Sequence, residues 1–371
     1  MTSPLISICI PTYNRAISIK RLLDKLVPQV SKVPGEVEIC ISNNCSTDDT
    51  RDVILGYKKE HDDLINYNEN DENLGFDRNL LKAISLARGR FVWLFGDDDS
   101  LIDDGVERVL EFIKGYGKDD VGLLVLRRES FLVDERTGKR TVYGPRPFDE
   151  GSRVIKLKNE DVRYANFPDN AFISVQIFNN AHLRKIIKDE EDTIKEVFGL
   201  SYMHMLLYRL MFLRIPGLKS YYLNKIIVLQ EVTHFKFIVE AEFKLTAGRT
   251  RIENLLMSRL PPSSNLKPFK EHLMNLKVQF ILRMFYMRCY DIFNYDSYLG
   301  CIKNFFDRLS APEALMLTAA FMAISVTPSS LAKRTLKPLF KMRFKKDWKA
   351  NYLELKIIYG KVAKGDWRRE Y

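Results

Sequence analysis

The chain has 371 residues, of which 46% are hydrophobic, 12% aromatic and 29% charged, with only 18 Gly and 14 Pro. That is room for two domains or one large one, and it excludes a disordered, collagenous or low-complexity protein. The net charge of +10 is uneven: Ser329 to Tyr371 carries 13 Lys plus Arg against 4 Asp plus Glu, which leaves the first 328 residues near neutral and argues against a nucleic-acid partner.

Leu5 to Ile10, Val37 to Ser42, Phe91 to Phe95 and Val121 to Leu126 are short runs of mostly apolar, β-branched or aromatic residues. This is the pattern of strands in a largely parallel sheet covered on both faces. Between them, Ile17 to Leu26, Thr50 to Lys59 and Leu80 to Ala87 carry helical spacing. Ser46 and Thr47 offer capping hydroxyls, and Asp48 and Asp49 first-turn acids, to the second helix. The βαβα order predicts an α/β fold. Glu129 to Val142 predicts a hairpin around Asp134 to Lys139, broken by Pro145 and Pro147, and Ala171 to Phe178 predicts a late strand. From about Ala247 the pattern is helical: Leu273, Leu276, Phe280, Ile281, Met284 and Phe285 share one face, and Ile302, Phe305, Phe306 and Leu309 repeat the period.

Cys9, Cys40, Cys45, Cys289 and Cys301 are odd in number and scattered, which predicts neither a disulfide framework nor a CxxC metal site and points to a reducing cytoplasm. The N-terminus has no secretory pattern, and the weakly polar run from Ala314 to Thr327 falls short of the ~20 residues that cross a bilayer as a helix.

In open parallel sheets ligands bind beyond the carboxyl ends of the strands. Pro11-Thr12-Tyr13-Asn14-Arg15 follows the first run, Asn43-Asn44-Cys45-Ser46-Thr47-Asp48 the second, and Gly96-Asp97-Asp98-Asp99 the run ending at Phe95. Three consecutive aspartates repel one another unless a cation neutralises them, and hard divalent ions accept carboxylate together with phosphate oxygens. A metal-bound diphosphate suits such a cluster. A plain loop leading to a helix after Asp103-Asp104-Gly105 is the other reading.

Taken in order, PTYNR, the Ser-Thr-Asp turn, Asn73-Leu74-Gly75 with Arg78-Asn79, Ala87-Arg88-Gly89 and the aspartate run resemble the family 2 inverting nucleotide-sugar glycosyltransferases. The resemblance spans roughly residues 4 to 110. It implies a GT-A fold, a Rossmann-like and mostly parallel sheet with helices on both faces, over residues 1–245. Within it, 1–126 would bind the nucleotide sugar and 127–245 the acceptor, and 246–371 would form a helical, basic appendage. It further implies that Pro11, Thr12, Tyr13, Asn14, Arg15, Asn43, Asn44, Arg78, Asn79 and Asp97 approach the donor, and that Asp98 and Asp99, with Asp97 beside them, hold Mn²⁺ or Mg²⁺. Relatives carry Asp where this chain has Asn43 or Asn44, which leaves the base open, because an amide both donates and accepts. Gly96 replaces the first Asp of the usual Asp-x-Asp. The GDDD form resembles a subgroup that includes deoxysugar transferases of bacterial surface polysaccharides.

Inverting transfer needs a general base for the acceptor hydroxyl. Relatives place it at the opening of a helix after the acceptor loop, and two segments compete for that position here: the acidic run containing Glu191 and Asp192, and His204 ahead of Leu206 and Arg209. The function expected is transfer of a sugar from a nucleotide diphosphate to a hydroxyl of a polyprenyl-diphosphate-linked glycan in O-antigen or similar polysaccharide synthesis. The enzyme would be peripheral on the inner face of the cytoplasmic membrane, with the basic, aromatic tail meeting anionic lipid. A catalytically silent scaffold or sugar-binding protein of the same fold is the alternative. A sugar nucleotidyltransferase would need a Gly-rich, basic phosphate loop after the first strand, and PTYNR supplies none.

Overall fold

The computed structural model describes residues 3–133, 140–143, 153–165, 167–231 and 248–260, with isolated positions between 266 and 334. The chain forms two compact units, Met1–Glu231 and Val232–Tyr371. The boundary expected at residue 245 falls in 232–247, outside the described residues, as do the apolar stripes at 273–285 and 302–309 and the basic segment from 335 onward.

The first unit begins with β1 (Ile6–Thr12), α1 (Ala16–Val30), β2 (Val37–Asn43), α2 (Thr50–Glu60), β3 (Ile65–Glu69), α3 (Phe76–Ser85) and β4 (Phe91–Leu94). It continues with β5 (Ser100–Leu101), α4 (Gly105–Tyr116), β6 (Val121–Val133), β7 (Arg140–Tyr143), β8 (Val154–Leu157) and α5 (Asn159–Arg163). The last elements are β9 (Gln176–Asn179), α6 (Asn180–Asp189), α7 (Glu191–Lys195), α8 (Met203–Arg214) and β10 (Lys219–Glu231). One sheet runs in the order β3-β2-β1-β4-β9-β6-β10-β5, with β7 on β6 and β8 on β10.

The half β3-β2-β1-β4 is parallel, and every residue of β1, β2 and β4 is buried, as the continuous apolar runs predict. Beyond β4 the sheet is mixed. β9 returns antiparallel between β4 and β6, while β10 runs parallel to β6. The expected hairpin exists, with Ser130 to Val133 paired to Tyr143 to Arg140, and its tip at 134–139 lies outside the described residues.

α1 presents Ile19, Leu22, Leu23, Leu26 and Val30 to the core, and full burial of each such side chain is worth about 1.5–3 kcal/mol. The Ala87-Arg88-Gly89 segment has a packing role. Arg88 pairs with buried Glu38 through Nε at 2.8 Å and Nη2 at 2.7 Å. Gly89 lets β4 enter against β1, because a Cβ there would lie 2.7 Å from the Ser7 backbone nitrogen. In the second unit residues 248–258 are helical, with Ile252, Leu255 and Leu256 buried at helical spacing.

Candidate active site at the carboxyl edge of the sheet

The loop after β1 and the turn after β2 are zipped together. The Asn14 backbone N–H donates to Ser46 Oγ at 2.9 Å, the Thr47 N–H donates to Asn14 Oδ1 at 2.8 Å, and the Arg15 N–H donates to Thr50 Oγ1 at 2.8 Å. Asn14 adopts φ 51°, in the left-handed region that Asn tolerates better than most residues. Ser46 and Thr47 therefore do not cap α2. Ser46 Oγ is spent on Asn43 Oδ1 at 2.5 Å, and Asp48 Oδ1 meets the first amide of α2, that of Thr50, at 3.1 Å. Pro11 and Thr12 are buried in the strand end, Arg15 is half-buried, and the Tyr13 ring is 41% exposed, open to a ligand rather than packed.

Beneath this loop lies a buried amide network. Asn79 donates to the carbonyls of Thr12 at 3.3 Å and Ser42 at 3.0 Å, and its Oδ1 accepts from Ser42 Oγ at 2.8 Å and Asn70 at 2.9 Å. Asn44 Oδ1 accepts from Asn70 and from the Leu74 N–H, and its Nδ2 donates to Asn73. Asn43 bonds Ser46 and Tyr67. These three amides hold the loops in place by spending their donors and acceptors inside the protein. Arg78 is exposed, with its guanidinium 4.9 Å from the Phe198 ring centroid.

The aspartates beyond β4 take different directions. Asp97 Oδ2 accepts from Thr12 Oγ1 at 2.6 Å, and Asp99 Oδ2 accepts from Ser174 Oγ at 2.5 Å. Asp98 faces solvent, 3.7 Å from Arg15 Nη1. Burial and the Asp98 charge push Asp97 up to about 7, against the Thr12 hydroxyl and Arg15. The same two causes raise Asp99 well above the carboxylate range, against Ser174 and Arg128. A Cβ at Gly96 would lie 3.0 Å from Asp99 Oδ2 and 3.3 Å from Asp98 Oδ1, so the glycine leaves the carboxylates the room that an aspartate would take. Among the described residues no three His, Cys, Asp or Glu side chains converge as a metal cage. The donor set fits a hard divalent ion as adjacent carboxylate oxygens, whose charged forms a cation would favour, with phosphate oxygens needed to complete the shell.

Among the described residues, none of the three base candidates bonds an aspartate of this cluster. His204 is 3% exposed and its Nε2 bonds the Ala171 carbonyl at 3.0 Å, so that nitrogen carries the proton. Glu191 and Asp192 open α7 and face solvent. Lys195 bonds Glu191 at 2.7 Å, holding it below its ordinary pKa, and lies 4.0 Å from Asp192. Sequence reasoning missed Ser174, which donates to Asp99 and accepts from the Gly96 N–H at 2.8 Å. It also missed Asp77 and the Arg128–Asp169 pair. No periodic signal marks any of them. A cavity of about 410 Å³ lined by Arg90, Asn180, His182 and Arg184 lies at the opposite, amino end of β4 and takes no part in this site.

A sheet ordered 3-2-1-4 whose carboxyl edge gathers two zipped loops and an aspartate run defines a GT-A-type sugar-transfer domain. Residues 7–179 match the family model described as Glycosyl transferase family 2, and this domain belongs to that family of glycosyltransferases. The chain is similar to "Abequosyltransferase RfbV" of Salmonella typhimurium, 27% identical over 335 residues, covering 81% of this chain and 91% of that one. It is also similar to "GalNAc(5)-diNAcBac-PP-undecaprenol beta-1,3-glucosyltransferase" of Campylobacter jejuni, 25% identical over 37% of this chain and 43% of that one. In fold it resembles S. aureus TarS 1-349, with a TM-score of 0.54 at 15% identity over 97% of this chain and 91% of that one. The mannosyltransferase PcManGT from Pyrobaculum calidifontis, in complex with GDP-Man and Mn²⁺, gives 0.52 at 14% identity over 100% and 89%.

Proposed function

We propose that the protein transfers a sugar, with inversion, from a nucleotide diphosphate sugar to a hydroxyl of a lipid-linked glycan in bacterial surface-polysaccharide synthesis. The observation that supports this reading is the Thr12–Asp97 hydrogen bond, which seats the loop after β1, read here as the nucleoside site, directly on the aspartate run, read as the diphosphate site. The likeness to an abequosyltransferase over most of both chains supports a deoxysugar or related donor, and the undecaprenol-linked substrate in the second relative's name supports a lipid-linked acceptor.

The exposed ring of Tyr13 offers the nucleoside a stacking face. Asp98, flanked by Asp97 and Asp99, would hold a Mn²⁺ or Mg²⁺ against the diphosphate. Bound there, the ion supplies positive charge where negative charge accumulates on the leaving group. Arg15, beside Asp98, adds a cation on the same side. The acceptor hydroxyl must lose its proton as it attacks. His204 donates through Nε2 to a carbonyl, which leaves Nδ1 as the basic atom of the ring, and the exposed carboxylates of Glu191 and Asp192 at the start of α7 are the other candidates for that proton.

A thermal-shift panel of UDP, TDP, CDP and GDP, each with and without Mn²⁺, tests the donor site, since a ligand bound only to the folded chain raises Tm. One nucleotide should raise Tm in a metal-dependent way and Asp98→Ala should abolish that dependence. An equal metal-dependent shift in Asp98→Ala would put the ion elsewhere. Metal-dependent hydrolysis of the matching nucleotide sugar separates the enzyme from a silent scaffold.

A further inference from the structure

α8 begins without a cap of its own. Its N-cap residue, Tyr202, makes no side-chain cap bond, the first turn holds no acid, and ten of the twelve helical residues are buried. The first amides of such a helix need an acceptor from elsewhere in the protein. Asp77, in the first turn of α3 and 2% exposed, holds the loop that leads into α8. Its Oδ2 accepts from the Gly199 N–H at 2.7 Å and the Ser201 N–H at 3.2 Å, and the amides of Leu200 and Met203 also face the carboxylate. The next residue, Arg78, stacks on Phe198. Two successive residues of α3 thus hold this loop at Phe198, Gly199 and Ser201. Gly199 at φ 87° and Ser201 at φ 61° show that the loop wraps the carboxylate in left-handed turns, a conformation that a serine keeps only when its surroundings impose it.

The same helix end is tied to the donor edge. Asn79, two residues on, donates to the Thr12 carbonyl, and Thr12 Oγ1 donates to Asp97. One turn of α3 therefore connects the aspartate cluster to the loop that opens α8.

We infer that Asp77 is a positioning residue for the acceptor: it fixes loop 199–203 and the start of α8 at the donor edge, so that the acceptor glycan meets an ordered surface there. This rests on the transferase reading above. The clamp itself can be judged without it.

Hydrogen exchange of the full chain tests the clamp. Asp77→Asn, which sets an amide NH₂ among N–H donors, should speed exchange of the 199–203 amides at least tenfold while β1 and β2 keep their protection. Activity tests the consequence, using the nucleotide sugar of the best-shifting nucleotide and a panel of octyl glycosides as acceptors. Transfer should fall at least tenfold through a raised acceptor KM, while donor affinity and acceptor-independent hydrolysis stay within twofold. Gly199→Ala, where a Cβ meets open space but φ is wrong for alanine, should give the same split with Asp77 intact, and it decides the matter if Asp77→Asn does not fold. Unchanged exchange in 199–203, or transfer and hydrolysis falling in parallel in both variants, overturns the inference. A chain that binds no nucleotide sugar at all defeats the transferase reading instead, and the exchange experiment then still decides the clamp.

Discussion

Burial and the neighbouring Asp98 charge push Asp97 up to about 7 in the folded chain, against about 3.9 for an aspartate in an unfolded one. Between those values the native state binds more protons than the unfolded state, so stability falls as pH rises. The ceiling is on the order of 4 kcal/mol for a shift of this size. Asp99, Asp77 and Asp169, raised first by burial, act with the same sign. Asp24, Asp104 and Asp120, lowered by hydrogen bonds, lose their contribution only as pH falls below the ordinary carboxylate range and do not mask the effect. The metal-free protein should therefore lose Tm between pH 4 and pH 7, and added Mn²⁺ should restore more of it at pH 8 than at pH 5. Asp97→Asn, which keeps an oxygen for Thr12 and removes the charge, should flatten the slope. A wild-type Tm that is level across this range contradicts the burial of an ionisable Asp97.

The carboxyl end of β6 and the turn before β9 are joined by one buried ion pair. Arg128 Nε donates to Asp169 Oδ1 at 2.7 Å, with the Asp169 side chain 1% exposed, and the guanidinium lies 4.4 Å from the Phe172 ring centroid. Arg128→Ala strands the carboxylate in the interior, a change that costs about 3–5 kcal/mol. Some of that loss is returned at low pH, where Asp169 protonates. Urea midpoints at pH 5 and pH 7.5 measure both, and a loss of under 1 kcal/mol at pH 7.5 would show that the pair does not brace the turn. Legibility in the sequence follows the same division between local pattern and distant pairing. β1, β2, β4 and β6 were legible because burial on both faces writes an unbroken apolar run. β3, with the sequence INYNE, hides because its polar residues serve the amide network, Asn68 donating to Asn70 and Tyr67 accepting from Asn43. β10 hides because register shifts after Leu223 and Ile226 break its alternation. At the site, PTYNR and the aspartate run stand out because each directly follows a strand. Ser174 and Asp77 do not, since each acts on a partner 75 or more residues away and such pairings leave no period in the chain.

At the scale of the molecule, the proposed lipid-linked acceptor raises the question of how a chain with a nearly neutral body would reach it. Among the described residues no helix is long and apolar enough to cross a bilayer, and the excess charge lies between Ser329 and Tyr371, mostly outside the described residues. There Lys341, Arg343, Lys345, Lys346 and Lys349 alternate with Phe340, Phe344 and Trp348. Each cation near an anionic surface is worth about 1 kcal/mol, and aromatic rings add interfacial burial, so the proposed role of this segment is reversible adhesion to anionic lipid. Full-length protein should sediment with phosphatidylglycerol vesicles and leave zwitterionic ones alone, and salt should weaken binding as screening shortens the reach of the charges. A chain ending at Pro328 should stay in the supernatant while keeping its metal-dependent nucleotide shift, because Thr12, Tyr13 and Asp97 to Asp99 all belong to the Met1–Glu231 unit. Equal sedimentation of the shortened chain would move the membrane contact into the body of the protein. Loss of the nucleotide shift together with sedimentation would show instead that the tail supports the donor unit.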